Sequence, residues 1–283
     1  MSRVAMCSFA LDYANDIRAI DPGIGIMKLW YMYQDKFRGE RDILGRDLFT
    51  DLLVENGMKV RLKIRKPRTT DSSHGLPVFP NLITELIPTR PNQLWVSDIT
   101  YIEIWLTDTE YTFCYLSVVQ DAYTRRIIGW SVGDSLSTKY PLEALKMALG
   151  RLDDLDAVDL IHHSDRGVQY ASAAYVEKLR SYGIKISMTE NGNPKDNPQA
   201  ERINNTIKNE LLKGMVFTSV DAVIAALETK IPFYNNERPH MSLDMATPVQ
   251  AEALTGELNK RWHCFRDDAI HNKQNNRQIT PTT

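Results

Sequence analysis

Cysteine is scarce in this chain. Cys7, Cys114 and Cys264 are the only three among 283 residues, and they lie far apart. No two have the CxxC spacing, which argues against a structural zinc site, and an odd, sparse count suits a reducing cytoplasm better than a disulfide scaffold. Long apolar runs are missing too. None approaches the ~20 residues a membrane span needs. The opening "MSRVAMCSFALDYAND" places acids close behind a very short apolar stretch, which argues against a signal peptide. There is no internal repeat, no low-complexity block and no run of zipper heptads. An excess of one charge is also absent: 34 Lys+Arg against 36 Asp+Glu leave a net charge of −2. Any nucleic-acid partner must therefore be met by local patches.

What is present is ordinary for a soluble globular chain: 43% hydrophobic and 25% charged residues. The length allows one domain with a good core plus one or two small ones. Residues 1–68 read as small and helical. "DPGIGIMKLWYMYQDKF" offers Asp21 as a cap and Pro22 at the first helical position, with Ile26, Leu29, Trp30 and Tyr33 at helical spacing. "GRDLFTDLLVENG" reads as a second helix with Leu48, Leu52 and Leu53 on its apolar side and Gly57 as its stop. Behind it, "KVRLKIRKPR" carries Lys59, Arg61, Lys63, Arg65, Lys66 and Arg68 with no acid between them. Two short helices and a basic strip fit a helix-turn-helix that binds DNA; they also fit a plain helical hairpin with a solvated linker.

Residues 69–92 are rich in Pro, Ser and Thr and read as a linker. The texture changes in residues 93–215. "NQLWVSDITYIEIWL", "YTFCYLSVVQDAY" and "RRIIGWSVG" read as an antiparallel meander. "TKYPLEALKMALGRL" is helical, with Leu142, Leu145, Met147, Ala148 and Leu149 apolar; "AVDLIHHSD" is a strand, "SAAYVEKLRSYG" a helix and "IKISMTE" a strand. The predicted order, β-β-β-α-β-α-β-α, implies an α/β class: a mixed five-stranded sheet flanked by helices. Residues 216–258 read as a helical extension broken by "YNNERPHMSLDMATP", and 259–283 as a polar tail that frays.

Three carboxylates stand out. Asp98 lies inside the first strand beside Trp95, Val96 and Ile99, where a charge is costly unless paired or bound to a cation. Asp165 follows the fourth strand, at the carboxyl end where ligand sites gather in α/β sheets. Glu201 opens a helix that "NPKDNP" starts, with Asp196 or Asn197 as cap and Pro198 in the first turn. On that helix Ala200, Ile203, Ile207 and Leu211 make a core stripe, and Glu201, Asn205 and Lys208 a second stripe about a quarter-turn away. Singly, each acid also fits a bland role: a polar edge, a turn, a surface glutamate. If the first and fourth strands are neighbours, all three converge. Clustered carboxylates take up protons or bind a hard cation, and oxygen donors suit Mg²⁺ or Mn²⁺. A pair of such ions is the usual device for in-line phosphoryl transfer.

"WVSDITYI", "HSDRGVQY" and "DNPQAERINNTIKNELL" resemble the DDE core of retroviral-type integrases and insertion-sequence transposases, with 35 residues between Asp165 and Glu201. "YNNERPHMSLDMATP" and the N-terminal helices with their basic strip resemble the insertion-sequence-three family, and the likeness runs in order over roughly residues 20–250. Pro194 and Pro198 depart from its usual pattern without touching the carboxylates. The resemblance implies a ribonuclease-H-like fold with strands one and four adjacent. It implies a polynucleotidyl transferase in which Asp98, Asp165 and Glu201 hold two Mg²⁺ (or Mn²⁺), with Lys208, and Asn205 on its face, against DNA near the scissile bond. The expected partners are double-stranded DNA at element ends and target, further copies of the chain in the DNA complex, and an upstream-frame helix-turn-helix product or fusion. The expected location is the bacterial cytoplasm, at the nucleoid when bound to DNA. His163 and Arg166 are expected as hydrogen-bonding neighbours, and Tyr234, Asn235, Arg238 and His240 as pins for the last helix or as DNA contacts. Two other readings stay open: a nuclease of the same fold that cuts without joining, and a non-catalytic DNA-binding regulator from a decayed element.

Overall fold

The structure, a computed structural model, describes residues 2–39, 43–59, 75–107, 110–152, 159–190 and 197–279. Three helices come first: α1 (Arg3–Ile20), α2 (Ile26–Lys36) and α3 (Arg46–Glu55). Strands β1 (Leu94–Trp105), β2 (Tyr111–Asp121) and β3 (Ile127–Gly133) follow, then α4 (Lys139–Leu149), β4 (Ile161–Ser164), α5 (Val168–Ala171), α6 (Ala173–Arg180) and β5 (Lys185–Met188). Helix α7 (Pro198–Thr206) runs on as a π turn (Ile207–Leu211), and α8 (Val220–Asn236) and α9 (Phe265–Ile279) complete the order. Among the described residues, no helix is long and apolar enough to cross a membrane.

The five strands form one sheet in the order β3-β2-β1-β4-β5. β1 to β3 are the expected antiparallel meander, and β4 joins β1 in parallel through Leu94–Ile161, Trp95–His162 and Val96–His163. This is the ribonuclease-H-like arrangement, with strands one and four adjacent. Each face of the sheet is covered. Trp95, Val119 and Ile128 pack with Leu145 of α4 and Tyr175 and Leu179 of α6. On the opposite face Ile102, Cys114, Leu116 and Val118 meet Ile203, Ile207 and Leu211, and Leu227 of α8. The core stripe read from the sequence is therefore buried as expected.

The N-terminal helices do not keep a core of their own. Ala10, Tyr13, Leu29, Tyr33, Phe49 and Leu53 belong to the same apolar cluster as the sheet's second face. Several local expectations change with that packing. Asp21 does not cap a helix that follows it: it closes α1, and α2 starts later, after Gly25, leaving Pro22 outside. In α3 the inward side is Phe49 and Leu53, four apart, while Leu48 is 48% exposed. In α4 the buried side includes Pro141 and Ala144, and Met147 is exposed.

The linker and tail also differ from their composition. Residues 79–86 lie as a strap beside β5: Leu82 N–H donates to Ser187 Oγ at 2.9 Å and Ile83 is buried. The polar tail is helical over α9, where Ile270 is buried and Arg266 donates to the Ile83 carbonyl at 2.9 Å. A helix with one buried apolar anchor has too weak a stripe to be recognised by periodicity. Its stability comes from tertiary contacts.

Candidate active site

Asp98 owes its place to unequal strand lengths. β4 pairs with β1 only up to Val96, while β2 pairs with β1 along its length, Asp98 lying opposite Val118. Carried two residues further, the β1–β4 register puts Asp165 level with Asp98 as the chain leaves the sheet. Asp165 Oδ1 accepts the Gly167 N–H at 2.9 Å. A Cβ on Gly167 would stand 3.0 Å from that oxygen and 3.1 Å from Gln169 Oε1, so the turn is closely packed here.

Helix α7 is laid against β1 by two amides. Asn197, its N-cap, donates from Nδ2 to the Ser97 carbonyl at 3.2 Å, and Asn204 Nδ2 donates to Asp98 Oδ2 at 2.8 Å. Ala200 and Ile203 are buried between them, and Glu201, half-buried, stands on the same stretch. Burial raises the Asp98 carboxyl most, the charge of Asp165 next, and Glu201 adds to it. Against the Ile99 N–H and the Asn204 amide, these push it up to about 7. Asp98 thus feels both other acids, although among the described residues no three His, Cys, Asp or Glu side chains stand close enough to hold a metal ion together.

A second buried acid shows what a structural carboxylate looks like in this fold. Asp121 accepts backbone N–H groups from Asn92, Tyr123 and Thr124 at 2.7–2.9 Å. Its lone pairs are spent on the turn after β2. Around Asp98 the balance is reversed: Asn197 Oδ1 and Asn204 Oδ1 are buried oxygen acceptors without hydrogen-bond partners. An all-oxygen set with surplus acceptors and mutually repelling carboxylates fits a hard divalent cation.

The flanking residues brace the strands. His162 Nε2 meets Ser97 Oγ at 2.8 Å and the Tyr175 hydroxyl at 3.0 Å, and burial, then His163, push its ring down to about 3, so it is neutral. His163 Nδ1 meets Ser187 Oγ at 2.8 Å, and Arg166 Nε donates to the Thr189 carbonyl at 2.6 Å. Asn235 bonds both the N–H and the carbonyl of Ile127 at 2.9 Å, and Tyr234 OH accepts from Gln120 Nε2 at 3.1 Å, so these two pin α8 to the sheet. Asn205 and Lys208 are half-buried, with Lys208 in the π turn and Asn205 Oδ1 accepting from Asn209 at 3.4 Å. Lys59 is exposed just beyond α3, while Arg61, Lys63, Arg65, Lys66 and Arg68 lie outside the described residues.

Asn197 and Asn204 as partners of β1 escaped the sequence reading. For Asn204 a signal existed: on a helical wheel it falls between the core stripe and Glu201, on the side that faces the sheet.

Comparison with known proteins gives the family. The Integrase core domain family matches residues 88–194, and a second Integrase core domain family matches 182–248. The "Insertion element IS600 uncharacterized 31 kDa protein" of Shigella sonnei is 36% identical over 209 residues, covering 73% of this chain and 74% of its own. "Transposase InsF for insertion sequence IS3A" of Escherichia coli (strain K12) is 32% identical over 202 residues, 71% of this chain and 68% of its own. The chain belongs to the insertion-sequence-three transposases with an integrase core. The transposase is accordingly a polynucleotidyl transferase. Among solved structures it is similar to the HTLV-2 integrase catalytic core domain in complex with magnesium, with a TM-score of 0.41 at 20% identity over 58% of the transposase and 97% of that chain.

Proposed function

We propose that Asp98, Asp165 and Glu201 are the catalytic carboxylates of this transposase and would hold two Mg²⁺ or Mn²⁺ ions. The observation that carries the reading is geometric: the β1–β4 register brings the Asp165 turn beside Asp98, and Asn197 and Asn204 lay the Glu201 helix on the same strand. When bound, the ions supply activation of the attacking water or 3′-hydroxyl and stabilisation of the leaving 3′-oxygen. The chain's own part is positional. β1 presents Asp98, the Gly167 turn orients Asp165, and the Asn197 and Asn204 amides hold the Glu201 helix against the strand. Asn205 and Lys208 face the DNA beside Glu201, Lys208 against a phosphate or terminal base.

The substrate is double-stranded DNA. One reaction nicks the element's ends; the next lets the exposed 3′-hydroxyl attack another phosphodiester. Residues 1–68 act as a DNA-binding unit, and the basic strip from Lys59 to Arg68 adds a salt-dependent, sequence-blind contribution. The transposase works as several copies on DNA in the cytoplasm, together with an upstream-frame helix-turn-helix product or fusion.

The test is strand transfer against simple cleavage on labelled duplexes carrying the element's own ends, in Mg²⁺ or Mn²⁺. Asp98→Asn is expected to abolish both products while DNA affinity stays within about threefold, since it removes an interaction needed only in the reaction. Joining by that variant would remove Asp98 from the chemistry. Cleavage without joining by the unaltered chain would point to a nuclease, and DNA binding without either product to a regulator.

A further inference from the structure

The helix that carries Glu201 does not end freely. Its π turn holds Glu210, whose carboxylate accepts two parallel bonds from Arg238, Nε to Oε1 at 2.6 Å and Nη2 to Oε2 at 2.8 Å. Lys28 of α2 donates to the same carboxylate at 3.2 Å. Asp21, fully buried at the end of α1, has Oδ2 3.6 Å from Arg238 Nε. Four charged side chains thus meet from the α1–α2 corner, from α2, from the π turn and from the segment after α8.

The backbone is joined at the same place. The Gly23 N–H donates to the Glu210 carbonyl at 2.9 Å. A Cβ on Gly23 would stand 2.2 Å from Glu210 Cα, so no side chain fits between the corner and the π turn.

Physical chemistry gives this contact a directional role. A π turn accommodates one residue more than the regular ladder, is rare, and is frequent at functional sites. Were it to revert by one residue, the segment before it would rotate by about 100° relative to the core, which would turn Glu201 away from Asp98. A bidentate arginine–carboxylate pair fixes orientation as well as distance, and a buried pair cannot lose one member without stranding a charge.

From this geometry we infer that Glu210 is a positioning residue for transposition: with Asp21, Lys28 and Arg238 it locks the rotation of the Glu201 helix to the N-terminal helices, which makes that unit part of the reacting machinery as well as a DNA-binding one. The inference rests on the reading that Glu201 is the third catalytic carboxylate.

The test uses the full chain with Glu210→Gln and, separately, Gly23→Ala. Hydrogen exchange is followed at the amides of residues 201–206 against those of β1, and strand transfer of the labelled duplex is measured over a Mn²⁺ titration. Exchange at 201–206 is expected to rise at least about tenfold with β1 unchanged, kcat to fall about tenfold and KM for DNA to stay within about twofold. The Mn²⁺ needed for half-maximal rate is expected to rise. If Glu210→Gln does not fold, Lys28→Gln keeps the arginine pair and should give smaller changes of the same sign. Unchanged exchange at 201–206 would overturn the inference, as would an unchanged kcat with a raised KM, which would make the N-terminal helices a DNA-binding element alone. Glu201→Gln separates the two claims: if it still joins strands, the site reading fails, while the exchange result for Glu210→Gln still decides the coupling.

Discussion

Two glutamates on one continuous helix live in opposite surroundings. Glu201 stands in the first turn among other acids, and its charge helps to raise Asp98. Glu210 stands in the π turn among cations: burial works against its ionisation, yet Arg238 and Lys28 hold it down to about 2. The first environment gathers like charges; the second sets two cations against two carboxylates. Like charges brought together make one another's ionisation costlier, while opposite charges ease it. The second group fixes where the helix lies so that the first faces the right way.

The sharpest way to break this contrast is to neutralise each glutamate's environment in turn. Glu201→Gln should reduce strand transfer by about a thousandfold or more, with a smaller change in melting temperature than Glu210→Gln, because it removes a like charge beside Asp98. A large loss of stability would move Glu201 into the architectural class. Arg238→Met is the mirror experiment. It strips Glu210 of its bidentate partner and Asp21 of a nearby cation in a buried place, and should cost about 3–5 kcal/mol in urea unfolding. A loss under about 1 kcal/mol would show that the cluster is not closed.

Asn204→Ala sharpens the boundary between the regions. It removes the amide that ties the helix to Asp98 while leaving every acid in place. A hydrogen bond to a charged group contributes about 1.5–3 kcal/mol, so strand transfer should fall about tenfold with DNA affinity unchanged. No change in rate would mean that the helix is held by its core stripe alone.

The smallest effect concerns pH. Burial, then the charge of Glu210, push Asp21 up from 3.8 to about 7. The folded chain therefore binds more protons than the unfolded chain between those values. This contribution to stability is full below about pH 4 and is lost as pH rises through about 7. Glu210 runs the other way: its contribution is present above about pH 4.5 and lost as pH falls towards 2. Asp21→Asn should flatten the decline between pH 4 and 7, read from melting temperatures in EDTA. An unaltered slope would remove Asp21 from the cluster's titration.

The parts legible in advance share a physical property: they depend on neighbours along the chain. The strand "WVSDITYIEIW", read from its β-branched and aromatic residues, and the stripe Ala200, Ile203, Ile207, Leu211 follow from one element each, and both are seen. Asp98 was conspicuous because a charge inside an apolar strand is costly wherever the strand goes. What could not be read depends on partners elsewhere. Asp21 resembled a helix cap because the local pattern Asp-Pro is a good one; in the fold it closes the preceding helix and faces Arg238, more than two hundred residues away. Arg238 had been weighed as a pin or a DNA contact, but which residue it pins is a matter of tertiary register. The tail was read as frayed from its polarity, and α9 is held there by Ile270 and by arginine bonds to the strap.

By itself the sequence determined the strand and helix order of residues 93–215 and which three acids deserve notice, since periodicity, turn chemistry and the cost of a misplaced charge act locally; the family came from the resemblance of its motifs, and α1 and α9 were not legible. Only the tertiary structure decided that two asparagines fasten the Glu201 helix to β1, that the N-terminal helices share the sheet's core, and that Glu210 meets Arg238 and Lys28. The reason is that an ionised side chain's energy depends on what stands across from it in space, and that is set by the packing of distant elements, which no local pattern records.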